Sequence, residues 1–330
     1  MTNSNPKQVL AKLLVIPAAV AVILALFVFP QADPEPRDFP IGIAGPPEQV
    51  AALEAKLKAE DPGAFDVHHY AGEASARDAI EDRDVYGALV ASADGPVLMT
   101  ASAAGSTVAT TMELRVTQAL VASDAPGGAA PKVIDVVPAD TNDPRGGGFN
   151  AAVLPLLIGG MLTATLVGML TRPGIRQVGL LAGSSALAGL AAVGIIQGWL
   201  GILGGDALAN AGVITLVVLA VASVATALKA LLGDVGVGVA AFLMVLIGNP
   251  WSGLSSAPEL MPSFVGDVGQ LFVPGAGGQA LRDTAFFDGA ALGGHLTVVA
   301  VWTAIGVALV GVAALRRRHT DLALEPAVAT

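Results

Sequence analysis

Long apolar runs separated by short polar connections fill most of the chain, and one extended polar stretch interrupts them early. The first run covers residues 13–29 and follows Lys7 and Lys12. Five more come after Asn150, at residues 151–171, 178–200, 211–232, 235–248 and 296–315. About 20 mostly apolar residues let a helix cross a bilayer, so the pattern predicts six transmembrane helices. The run at 235–248 is short for this and competes with a re-entrant segment. A cleavable signal peptide shares the basic start and apolar centre of the first run. That run is long for a signal core, and Pro30-Gln31-Ala32 puts proline where a small residue is wanted, so an uncleaved anchor is expected.

The interrupting stretch has another rhythm. Residues 39–44, 65–70, 85–91, 97–101 and 132–137 read as strands, with Asp94-Gly95 as a hairpin signal. Between them, residues 48–60, 75–82 and 106–122 read as helices. Val50, Leu53 and Leu57 fall at helical spacing on the first, and Leu114, Val116 and Leu120 are expected to face inward on the third. Strands alternating with helices predict a small α/β unit, of about a hundred residues and with a core of its own. The expected fold is therefore an α-helical polytopic membrane protein of six transmembrane helices with an inserted extracytoplasmic α/β domain. Its divisions are residues 1–12 (cytoplasmic), 13–30 (first helix), 31–150 (domain), 151–315 (five helices, with an outer loop at 249–293) and 316–330 (cytoplasmic tail).

Charge sets the orientation. Lys7, Lys12, Arg172, Arg176, Lys229, Arg316, Arg317 and Arg318 all fall on one side if there are six crossings. Basic residues favour the cytoplasm, which places both termini inside and favours a crossing at 235–248 over a re-entrant loop. Residues 31–150 hold 19 acidic and 8 basic residues, against a chain total of 27 and 17. So acidic a block is a poor match for nucleic acid.

Composition narrows the chemistry. Charged residues make up 13% of the chain, where a soluble domain carries roughly 25%. There is no cysteine, which removes disulfides, thiolate ligands and thiol nucleophiles together. No Gly-x-x-x-x-Gly-Lys-Ser/Thr loop is present, so nucleotide hydrolysis by that route is not expected. The apolar runs carry no Asp, Glu or Arg, and Lys229 lies near an end, which argues against ion-coupled transport. His68 and His69 are neighbours on one strand and face opposite ways, so they do not chelate together. No catalytic, cofactor or metal site is expected. Small residues repeat every four positions: Gly160, Ala164 and Gly168, then Gly179 and Gly183, then Gly194 and Gly198. Such ladders allow close helix approach, within the bundle or across a homodimer.

The stretch after residue 248 is the most distinctive. Asn249-Pro250 ends a helix beside Trp251, an interfacial anchor, and Pro274-Gly275-Ala276-Gly277 leads towards Arg282. The two apolar segments that follow are too broken to cross and read as a helix-turn-helix lying on or dipping into the outer leaflet. This loop, the Asp143-Pro144-Arg145-Gly146 return into the second run, and the one-plus-five arrangement of crossings resemble actinobacterial membrane proteins related to the YhgE/Pip (phage infection protein) group. Those proteins are similar to type-2 ABC-transporter permeases. The resemblance implies an export-type permease half, normally dimeric and driven by a separate ATP-binding cassette ATPase. The basic-side loops are short, at 172–177 and 232–234, so coupling would fall to Arg172, Arg176, Arg316, Arg317 and Arg318. A non-transporting scaffold or receptor that binds envelope components through its domain is the other reading.

Overall fold

The computed structural model describes residues 6–32, 35–60, 62–92, 95–121 and 130–324. It joins a helical bundle to a five-stranded sheet packed between helices. The domain elements are β1 (Phe39–Ala44), α2 (Pro47–Glu60), β2 (Phe65–Tyr70), α3 (Glu73–Glu81), β3 (Gly87–Ser92), β4 (Gly95–Thr100), α4 (Ser106–Val121) and β5 (Lys132–Asp135). They follow α1 (Pro6–Val28). Strand order is β2-β1-β3-β4-β5. All neighbours run parallel except β3 and β4, whose antiparallel ladder extends from Gly87–Thr100 to Ser92–Gly95. Asp94, half of the expected hairpin signal, lies outside the described residues.

Alternation along the strands builds two cores. Ile41, Ile43, Leu89 and Leu98 meet Val108, Met112 and Val116 of α4 on one face. Ala44, Ala88 and Met99 meet Ala76 and Ile80 of α3 on the other. Leu114 is a correction: it is 56% exposed, because Met112 and Val116 already occupy the inward face of α4 and Leu114 lies between them. A second correction concerns independence. Ala257 and Leu260, from the loop after residue 248, complete the first core, and Phe287 completes the second. The domain does not close its own interior.

The bundle consists of α5 (Gly147–Leu170), α6 (Ile175–Val193), α7 (Ala207–Leu232), α8 (Asp234–Ala241), α9 (Ser263–Gln270), α10 (Val273–Phe286) and α11 (Leu292–Leu324). Asp143 explains the Asp-Pro-Arg-Gly return. Its carboxylate accepts from the amides of Gly148 (3.1 Å) and Phe149 (2.8 Å), satisfying the first turn of α5. Asp206 does the same for α7 through Ala209 N–H at 2.7 Å.

Five helices among the described residues are long and apolar enough to cross a membrane: residues 13–31, 147–170, 175–199, 207–232 and 292–319. The expected sixth is shorter. Eight residues of α8 and six of wider, π-type turn (Phe242–Ile247) rise about 21 Å, less than the roughly 30 Å hydrocarbon core. Helix α7 is the axis of the bundle, packed by α5, α6, α8, α10 and α11. Around it, Leu162, Leu166, Leu187, Leu190, Val301 and Ile305 form an exposed apolar girdle, a surface suited to lipid rather than water. The expected cytoplasmic tail from residue 316 continues α11 to Leu324.

The glycine ladders divide. A Cβ on Gly160 would lie 2.7 Å from Val221 Cβ, so this glycine is what lets α5 approach α7. Gly168, Gly179, Gly183 and Gly194 have open space where a Cβ would go, and Gly198 nearly so. Within one chain these five do not mediate helix contact, which corrects their expected role in internal packing.

Candidate functional site

The loop after residue 248 folds into the bundle. From Val273 to Ala285 every residue of α10 is buried, a correction to the expected helix-turn-helix at the leaflet surface. Glycines make this possible. A side chain at Gly277 would collide with Val217 of α7, one at Gly275 with the Gly269 carbonyl, and one at Gly278 with Leu254. Pro274 packs over Gly248 at the end of the π-type turn. Asn249 turns the chain, its carbonyl accepting from Ser252 Oγ at 2.7 Å, and Pro250 is buried behind it. Trp251 ties this turn to α1, its indole N–H donating to the Leu26 carbonyl at 3.3 Å.

Burying α10 carries charges inward. Arg282 is 3% exposed and Asp283 fully buried. Each finds partners, as buried charge requires. The Asp283 carboxylate accepts from Arg83 Nη1 on one oxygen and lies 2.6 Å from His295 Nδ1 on the other. Gln279 Oε1 accepts from Arg83 Nη2 at 3.0 Å and from Arg282 Nη1 at 3.1 Å. The other Arg282 arm donates to the Leu254 carbonyl at 3.1 Å. The two guanidiniums stack on aromatics, Arg83 on Phe287 and Arg282 on Phe149, each 5.0 Å from the ring centroid. Below, Thr284 donates to Asn210 Oδ1 at 2.7 Å, and Asn210 donates to Gln197 Oε1 at 3.1 Å. A polar chain therefore runs from the domain into the first turn of α7.

Beside it, Tyr86 donates to Glu259 Oε2 at 2.9 Å. Burial, reinforced by this carboxylate, pushes the Tyr86 phenol well up. Burial likewise raises the Glu259 carboxyl above its ordinary value. Desolvation and the neighbouring Arg83 pull Arg282 down to about 10, still a cation at neutral pH. Tyr86, Glu259, Arg83 and Gln279 border a cavity of about 300 Å³ at the seam, walled also by Asp84, Asp267, Gln270 and His295. With arginine, carboxylates and amides on its wall, the cavity suits a polar or zwitterionic group rather than a hydrocarbon.

Arg282 is the predicted loop residue that joins this network; Asn249, Pro250, Trp251, Pro274, Gly275 and Gly277 shape the hairpin that carries it. Arg172, Arg176, Arg316, Arg317 and Arg318 lie at the far end of the bundle, of which Arg316 and Arg317 line a second cavity and the other three do not. Arg83, Gln279, Asp283, His295, Tyr86 and Glu259 were not singled out by sequence. Asp283 beside Arg282 in a Gly- and Ala-rich segment is the local signal that points to them. Arg83 has none in the sequence, since it meets Asp283 200 positions away. Its backbone, at φ 64°, holds a left-handed conformation uncommon for a non-glycine residue and found at constrained sites. Comparison with protein families, with curated proteins and with solved structures gives no match.

Proposed function

We propose that this chain is the membrane subunit of an export-type permease. In this reading six crossings leave both termini cytoplasmic and the domain outside, and a separate ATPase supplies the energy. The cargo is a lipid-like or amphipathic compound whose polar part passes the seam cavity. The observation that carries the reading is α10, a charged helix buried along its length across the domain end of the bundle. Arg83 holds it from the domain and His295 from α11. A helix that only filled space would be more stable with apolar residues here, since buried ion pairs seldom outdo well-packed hydrophobic ones. Charge in that position fits a closure that opens when its partners move apart. Carboxylate-driven coupling is disfavoured by the absence of Asp and Glu from the apolar runs, which is why an outside energy source is assigned.

The test is purification in mild detergent followed by assay for a co-purifying ATPase whose turnover this chain stimulates. Loss of that stimulation in Asp283→Asn would support the role of α10. Absence of any ATPase, with compound efflux unchanged on deletion, would sink the permease reading. The interlock of domain and bundle favours a second reading, a non-transporting receptor or scaffold whose seam cavity binds an envelope component. That reading predicts ligand binding without efflux.

A further inference from the structure

At the end of the bundle far from the domain, α5, α6, α7 and α11 leave between them a cavity of about 600 Å³. That volume is within the range of small-molecule sites, roughly 300–1,000 Å³. Lys229, Arg316 and Arg317 stand on its wall, and no carboxylate is among its described lining residues. Two buried polar side chains are also among its lining residues, and each holds just behind the wall an atom that has no hydrogen-bond partner. They are Thr226, 4% exposed, through Oγ1, and Gln177, 2% exposed, through Oε1. Gln177 directs its amide Nε2 at the Thr171 carbonyl (3.4 Å), which fixes Oε1 as the acceptor left over. Unpaired buried polar atoms are costly, and here both adjoin one cationic cavity.

We infer that this cavity is a binding site for the headgroup of an anionic amphiphile, a phosphate ester carrying a hydroxylated substituent. The phosphate oxygens take the charge of Lys229 and Arg317 and a hydrogen bond from the Thr226 hydroxyl. A hydroxyl of the substituent donates to Gln177 Oε1, a role that the acceptor-only oxygens of an ionised phosphodiester do not fill. Basic pockets between helices at a membrane interface recognise lipid headgroups in this way. The apolar tail has a surface to follow, because Leu166, Met169 and Leu170 of α5 and Val312 and Leu315 of α11 are exposed beside the cavity. The open space at Gly168 widens the entrance between those helices. The site stands apart from the permease reading, since a receptor would carry it equally.

The test uses the full chain in nanodiscs of phosphatidylcholine containing a minor fraction of phosphatidylglycerol. Lipid retained on extraction is counted by native mass spectrometry, and a labelled phosphatidylglycerol is titrated. Wild type should retain phosphatidylglycerol over phosphatidylcholine. Lys229→Gln with Arg317→Gln should weaken binding by about tenfold or more, the scale of losing charge-assisted contacts. Thr226→Val and Gln177→Leu should each weaken it several-fold with unchanged melting temperature, which separates loss of the site from loss of the fold. Free glycerol phosphate competing as well as the lipid would support the same chemistry from a soluble source. Equal retention of the two lipids, or a preference untouched in all four substitutions, overturns the inference. So does loss of a co-purifying protein in the charge variant while lipid retention stays unchanged.

Discussion

Arg83 and Asp283 make the contact on which the seam depends. Asp283 has no exposed surface, so removing Arg83 leaves a buried carboxylate that has lost its arginine and keeps the contact with the His295 ring. Breaking such a pair costs about 3 kcal/mol or more. Arg83→Ala should therefore lower the melting temperature clearly. The double variant with Asp283→Asn should lose less than the sum, with a coupling above about 1 kcal/mol in a double-mutant cycle. Glu259 gives a pH signature. Its folded-state pKa is raised by burial, so the stability it contributes is full below the ordinary carboxylate range and is lost as pH rises through the raised value. Wild type should lose stability from about pH 4 upward relative to Glu259→Gln, measured as the difference in melting temperature across pH. Apart from Asp283, which follows Arg282 directly, these partners are distant in sequence, which is why reading the chain locally found Arg282 and missed most of the residues it works beside.

Elements were far more legible than contacts. The strands at residues 39–44 and 65–70 are reproduced to the residue, and the other strands and domain helices to within a few positions, because alternation and helical periodicity act locally. Burial of α10 was not legible. Its glycines, proline and charges lower its hydropathy below that of a spanning helix, and its partners come from α7, α11 and the domain. The ladders show the same limit: spacing reveals that two helices can approach, not which pair does. Gly160→Leu should destabilise the fold by about 1–3 kcal/mol through overpacking against Val221. Gly183→Leu should leave the stability within about 0.5 kcal/mol of wild type, and any effect should show in oligomer size by light scattering. Equal losses in both variants would contradict the split between inward and outward glycines.

For the whole molecule, hydropathy fixed the presence of a lipid-suited bundle, and charge bias supplied an orientation that can be checked directly. The chain has no cysteine, so single-cysteine variants report one site each. Glu48→Cys, exposed on α2, should react with an impermeant thiol reagent in intact cells; Ile175→Cys, exposed at the far end, should react after permeabilisation. Labelling of both in intact cells would reject the inside–outside assignment. The architecture is two parts by sequence pattern and one by packing, with Arg83, Tyr86, Leu260 and Phe287 crossing between them.

The interlocked interior has a bearing on how the protein is made. The sheet is complete by Asp135, yet Ala257, Leu260 and Phe287, which fill its two cores, are synthesised only after most of the bundle. A nascent chain must hold an unfinished domain while the later helices are made, with apolar surface uncovered throughout that interval. Chains halted before residue 257 should accordingly bind hydrophobic dyes and succumb to proteases at the domain, and those extended past residue 287 should resist. The final third of the polypeptide thus acts as the domain's own late-arriving chaperone.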